Sequence, residues 1–149
     1  DLNGLRNADE VRFWNLYLDG SKQLVDDAGA PGGLDAGELF VIVGDLNADP
    51  VAGDGVREAI AELLSHPRVT DPKPVRVDLT GDPVAVESAK RLGTIPRRDG
   101  GTLRIDYVLP CKPLRVAASG VVWPTGDQLG GDWVTASDHR MVWVDVELP

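Results

Sequence analysis

Three short polar segments stand in or beside hydrophobic stretches and carry the residue types that ester hydrolysis uses. Gly44-Asp-Leu-Asn47 sets a carboxylate and an amide two positions apart at the end of an apolar run. An extended backbone points such a pair to one side. Asp45 there could hold a cation or orient a water while Asn47 donates to a phosphate oxygen. Plain turn chemistry accounts for the same residue types, because Gly, Asp and Asn suit strand-ending turns. Arg104-Ile-Asp-Tyr107 sets Asp106 inside a hydrophobic strand pattern, where an acid is disfavoured and, if buried, needs a partner. A solvent-facing Asp on the polar side of an ordinary strand is the alternative. Ser137-Asp-His-Arg140 joins an imidazole to a carboxylate before the last apolar stretch. That pairing suits general acid/base work beside a metal ligand, although a loop histidine on the surface looks the same in sequence.

Taken together, the segments form a usable set. Asp106 could orient His139, fix its tautomer and stabilise its charged form. Asp45 and Asn47 offer water orientation and oxyanion contacts. Asp138 is a hard oxygen donor suited to Mg²⁺ or Mn²⁺. Phosphoester hydrolysis needs a positioned water, a Lewis acid and donors for charge growing on phosphate oxygens. His66, the other of the two histidines, reads as a helix-end residue favoured by the helix dipole.

The elements that would position these groups follow from periodicity and punctuation. Asn7 as cap, Glu10, and Val11, Trp14 and Leu18 at helical spacing predict a helix over 8–18 that stops at Gly20. Residues 19–37 read as a loop. Leu39-Phe-Val-Ile-Val43 predicts a strand buried on both faces. Asp54 is expected to cap a second helix with Val56, Ile60, Leu63 and Leu64 inward, stopped at His66-Pro67. Prolines break 67–101 into loops, with a helical turn near 86–92. Strands are predicted over 102–109, 114–122 and 141–148. In the last, Val142, Val144, Val146 and Leu148 form the expected core face. Strands separated by helices and loops predict an α/β layered domain.

Composition bounds the rest. The chain has 149 residues, suits one domain and is 42% hydrophobic. Its 15 basic against 24 acidic residues give a net charge of −9, which weighs against general duplex binding. One cysteine, Cys111, permits neither an internal disulfide nor a Cys-rich zinc site. The apolar runs are too short for a transmembrane segment. The compartment stays open between secreted and cytoplasmic, because the chain begins at Asp1.

Gly44-Asp-Leu-Asn-Ala-Asp-Pro50, Arg104-Ile-Asp-Tyr-Val-Leu109 and Ser137-Asp-His-Arg-Met-Val142, in that order, resemble the C-terminal half of the endonuclease/exonuclease/phosphatase superfamily. That group contains deoxyribonuclease I, exonuclease III and sphingomyelinases. The resemblance spans residues 39–148, and the first helix also fits. It implies an α/β fold, the C-terminal part of a deoxyribonuclease I-like four-layer sandwich with mixed sheets and outer helices. It also implies a divalent-metal-dependent phosphoesterase. By the same resemblance Asp45 holds or activates the attacking water, and Asn47 contacts the phosphate and shares a metal. Asp106 hydrogen-bonds His139, His139 acts on the scissile phosphate, and Asp138 binds the metal. The implied cofactor is Mg²⁺ or Mn²⁺, with Ca²⁺ as a further candidate. The implied partner is a phosphorylated substrate: nucleic acid, phospholipid or small phosphoester.

The departures shape further expectations. The family's N-terminal half supplies an Asn ending the first strand, a metal-binding Glu, and a second His or a Tyr, none of which this chain shows. Neither Glu10, at a helix start, nor Glu38, before the first strand, stands where that Glu should. Residues 1–149 are therefore expected to be the C-terminal portion of one domain, weak in metal binding through Asp138 and Asp45 and nearly inactive alone. An exposed apolar sheet face should drive self-association or call for the N-terminal half. Arg6, ahead of the first helix, is a candidate substrate contact. Trp123 and Trp133 flank the 124–132 loop and could line an entrance or simply pack. Lys90, Arg91, Arg97, Arg98 and Arg104 make the densest basic stretch, either steering a phosphorylated ligand or forming a solvated loop. Two other readings stand beside the enzyme: a catalytically inactive interaction or surface-binding module on the same fold, and a Ca²⁺-binding domain, whose acidic loops lack EF-hand spacing.

Overall fold

A computed structural model describes residues 2–124 and 126–149, with Ala89 described by its backbone only. Thr125, inside the 124–132 loop, lies outside the described residues. Helix α1 runs Leu2–Leu18 and so starts ahead of the expected cap. Asn7 lies within it, and its Nδ2 donates instead to the Leu46 carbonyl at 2.9 Å. That side chain thus ties the helix to the segment after the first strand and leaves the capping role. Helix α2 runs Arg57–Ser65 behind Val56, with no side-chain cap; Asp54 is exposed two residues upstream. Its end matches the reading. His66 stands at the C-cap, its N–H meets the Leu63 carbonyl at 3.1 Å, and its Nε2 lies 3.1 Å from Asp19 Oδ1.

The two helices pack on each other and on one face of an antiparallel pair, β1 (Val41–Asp45) and β5 (Asp106–Pro110). Ala8, Val11, Leu18, Ala59, Ile60 and Leu63 meet Ile42, Tyr107 and Leu109 there in the principal hydrophobic cluster. Side chains alternate across a strand and cross-strand partners share a face. Ile42 and Leu109 therefore point to the helices, while Val41, Val43 and Asp45 share the other face with Pro110, Val108 and Asp106. This corrects the expectation that the first strand is buried on both sides. Val41 is 40% exposed and Val43 63%, because helices cover only one face of the pair.

The strand expected over 102–109 divides. Two-residue strands β3 (Ile95–Pro96) and β4 (Thr102–Leu103) pair with each other, and β5 begins afresh at Asp106. Side-chain acceptors cause the break. The Arg104 N–H goes to Asp49 Oδ2 at 2.6 Å, and those of Ile105 and Asp106 go to Thr94 Oγ1 at 3.1 and 3.2 Å. Those donors are thereby lost to a strand ladder.

A second, mixed sheet has the order β2-β6-β7. Strand β2 (Arg76–Val77) lies parallel to β6 (Arg115–Val122), and β6 antiparallel to β7 (Val142–Glu147). At Gly120 the strands and the Trp143 ring approach so closely that a β-carbon would meet Trp143 and Val77 side chains at 2.7 Å. The expected core face of the last strand fades along its length. Val142 and Val144 are half-buried, but Val146 is 36% exposed and Leu148, past the strand end, 78%. A single-turn 3-10 helix covers Ser88–Lys90, where a helical turn was expected, and another covers Gly131–Thr135. One mixed sheet, two antiparallel strand pairs and two helices packed on one face of β1–β5 make this an α/β fold.

Candidate active site

The register of β1 and β5 sets Asp45 directly opposite Asp106. Like charges facing each other across strands are destabilising without a compensating group, and the chain supplies one from its far end. His139 Nδ1 lies 2.9 Å from Asp106 Oδ1 and 3.1 Å from Oδ2. A carboxylate cannot donate, so Nδ1 carries the proton and Nε2 is left for other work. The hydrogen bond to Asp106, with the charges of Asp106, Asp45 and Asp138, holds the imidazole pKa above its ordinary 6.5, against the effect of burial. The ligand atoms offered by Asp45, Asp106 and His139 all lie within 4.8 Å of one another.

Local chemistry explains how each group is aimed. Gly44 has a φ of 143°, in the region glycine favours, so β1 turns as Asp45 emerges. The Asp45 Oδ1 then accepts the Asn47 N–H at 2.7 Å, and Asn47 adopts a left-handed φ of 46°, which Asn tolerates better than most residues. The loop after β1 is bolted to β5. Tyr107 Oη lies 2.8 Å from the carbonyls of Ala48 and Arg104. Asp49 caps its own turn through the Val51 and Ala52 N–H groups at 2.7 and 2.8 Å. Burial pushes the Tyr107 hydroxyl pKa up, so it stays a donor.

His139 is held by its neighbours. Its N–H donates to Ser137 Oγ at 3.0 Å, and Arg140 donates through Nη1 to the Ser137 and His139 carbonyls at 2.8 and 3.1 Å. The Arg140 N–H meets the Thr94 carbonyl at 2.9 Å. Thr94 is fully buried and thus braces both the start of β5 and the histidine loop. Nothing in the proline-broken 67–101 stretch marked it in advance. The same holds for Asp71, which forms a bidentate pair with Arg104 at 2.9 and 2.5 Å. Arg104 is 5% exposed and belongs to the interior, not to a solvated basic stretch.

The other predicted residues lie as follows. Asp138 is exposed and outside the three-residue group, near enough for its charge to raise the His139 pKa. Asn47 is exposed and lines a different cavity of about 230 Å³ together with Asn7, Asp49 and Asp54; Asp45, Asp106 and His139 do not line it. Arg6 sits on the exposed side of α1, its Nε 2.9 Å from Glu10 Oε1. Glu38 is exposed in the loop before β1. Trp123 is half-buried with two guanidinium groups close to its ring, whereas Trp133 is 59% exposed.

The donor set fits a hard divalent cation. Such ions need oxygen ligands and often take only one or two carboxylates, completing their shell with water and phosphate. Asp45 and Asp138 are exposed carboxylates beside a cluster of negative charge. Asp106 is committed to His139, which leaves Asp45 as the carboxylate of the three-residue group open to a cation.

The model of the Endonuclease/Exonuclease/phosphatase family matches residues 3–139. No curated protein and no solved structure matched the chain. With that match covering most of its length, the chain belongs to the Endonuclease/Exonuclease/phosphatase family, a group of hydrolytic enzymes of phosphoesterase and nuclease type.

Proposed function

We propose that this family member carries the water-activating and phosphate-binding part of a divalent-metal-dependent phosphoesterase site. The observation that supports it is the Asp106–His139 hydrogen bond formed beside Asp45. Asp45 orients the attacking water and accepts its proton. The water oxygen bonds to phosphorus, the ester P–O bond breaks, and the leaving oxygen takes a proton. His139, held through Nδ1 by Asp106, presents Nε2 to the scissile phosphate as proton donor or as positive charge. Asn47, exposed in the turn that Asp45 Oδ1 caps, is the proposed donor to a phosphate oxygen. Asp45 and Asp138 hold Mg²⁺ or Mn²⁺, with Ca²⁺ as a further candidate, and the bound ion supplies Lewis-acid polarisation. The acids and the imidazole are all present, which favours an enzyme over an inactive surface-binding module. Net charge favours a small phosphoester or phospholipid over duplex nucleic acid.

We further propose that the site is completed by more polypeptide against the open β1–β5 face. The exposed Val41 and Val43 lead directly to Asp45 on that face, and water is a poor cover for them. Residues 1–149 alone then bind Mg²⁺ more weakly than about micromolar, consistent with the few-carboxylate Mg²⁺ sites that rely on substrate phosphate.

The test uses bis-p-nitrophenyl phosphate, plasmid DNA and sphingomyelin with Mg²⁺, and in parallel follows the His139 imidazole signals by NMR as inorganic phosphate and Mg²⁺ are added. The expected result is a phosphate-dependent shift at His139 and loss of any turnover in His139→Ala. Turnover that survives both His139→Ala and Asp106→Asn, or no shift at His139, overturns the reading.

A further inference from the structure

We propose that a cavity beside His139 takes one ring-sized apolar ester substituent of the phosphorylated substrate. This deepens the phosphoesterase reading and rests on it. The cavity measures about 170 Å³. His139 and Arg140 form its polar side, and Pro124, Trp133, Val134 and Met141 its apolar side. Trp133 and Met141 are 59% and 60% exposed, so two large apolar side chains stand in water at the mouth, next to the imidazole. Exposed apolar surface gathered at one concave place marks a binding site more often than chance.

Size selects the occupant. An apolar cavity of about 150 Å³ is enough for benzene. The space beside His139 therefore suffices for one six-membered ring or a group of similar bulk, and because it opens to solvent the rest of a larger group would project out of it.

Charge says what the ring is attached to. Arg140 lies 4.8 Å from the centre of the Trp123 ring and Arg76 3.4 Å from it. Arg76 is 8% exposed. Its Nε and Nη2, and the Nε of Arg140, are buried with no hydrogen-bond partner. Among the described residues no carboxylate forms an ion pair with either arginine. Two guanidinium groups thus crowd one indole, a costly arrangement that the charge of Asp138 offsets at Arg140 only in part, and Arg140 borders the cavity. An anion seated between His139 and Arg140 relieves it, with its apolar substituent on Trp133, Val134 and Met141. An aryl or similar single-ring phosphoester has that shape and polarity.

Binding with Mg²⁺ present tests the pocket by calorimetry, with methyl, phenyl and 2-naphthyl phosphate as probes. Phenyl phosphate is expected to bind about tenfold more tightly than methyl phosphate, a difference of about 1.4 kcal/mol. 2-Naphthyl phosphate is expected to gain nothing over phenyl. Trp133→Ala and Met141→Ala, both at exposed positions the fold tolerates, should each bring phenyl phosphate most of the way down to methyl phosphate. Equal binding of methyl and phenyl phosphate, a preference untouched by both substitutions, or tighter binding of the naphthyl probe overturns the pocket. A ring preference accompanied by turnover that survives His139→Ala overturns the catalytic reading alone. His139-dependent turnover without ring preference overturns the pocket alone, and binding of no probe overturns both.

Discussion

At the scale of single residues the site turns on one proton. His139 Nδ1 donates to Asp106 while Asp45 and Asp138 add negative charge around the ring. The folded pKa is raised, so the stabilisation from this contact is present in full below the ordinary 6.5 and is lost as pH rises through the raised folded value. In the metal-free chain, NMR titration should place the His139 midpoint above 6.5. Asp106→Asn should move it down, since the remaining acids act only at longer range. A midpoint that Asp106→Asn leaves in place would show that the hydrogen bond is not what raises it. Two of the site groups, Asp45 and Asp106, sit side by side because of strand register, a relation no local spacing announces. Thr94 is a stronger case. A lone threonine among prolines and glycines gave no signal, yet its hydroxyl receives the buried Ile105 N–H and the half-buried Asp106 N–H.

Elements transmit that geometry. The breaks between β4 and β5 and after β1 are held by side chains that replace ladder bonds: Thr94 for Ile105 and Asp106, Asp49 for Arg104, Tyr107 for Ala48. Thr94→Val keeps the shape and removes the acceptor, leaving the buried Ile105 N–H unpaired at about 1–3 kcal/mol and the half-buried Asp106 N–H at less. We expect a clear drop in melting temperature together with a broadened His139 signal, because Asp106 is the residue released. An unchanged melting curve would count against the brace. The Asp71–Arg104 pair anchors the same corner. Burial raises the Asp71 pKa, but the hydrogen bond and charge of Arg104, aided by Lys73, outweigh it and hold the folded value below 3.8. Its contribution is therefore present above pH 3.8 and lost as pH falls through the folded value. Breaking the pair by Asp71→Asn should cost about 3–5 kcal/mol at neutral pH and much less in strong acid. Denaturant unfolding at both pH values checks this, and a pH-independent loss would contradict it.

For the whole molecule the open surfaces matter most. Val41, Val43, Met141, Val146 and Leu148 are all at least 36% exposed, and helices cover only one face of the β1–β5 pair. Light scattering should show concentration-dependent association, and Val43→Lys should shift it toward monomer, since a charge on that face must be desolvated on contact. A monodisperse monomer across the concentration range would show that the face tolerates water. No helix among the described residues is long and apolar enough to cross a membrane.

Read alone, the amino-acid order determined the α/β class, the family likeness, the end of α2 at His66 and the approximate places of β6 and β7. It also singled out Asp45, Asp106 and His139. Those are local properties: apolar period, turn residues, and motif spacing along the chain. Only the tertiary structure decided that Asp45 faces Asp106, that Asn7 serves Leu46 instead of a helix start, that Arg104 is interior, and that Thr94 braces the site. Each depends on which distant group fills a buried donor or acceptor. That choice follows from the packing of whole elements, which no short stretch of sequence contains.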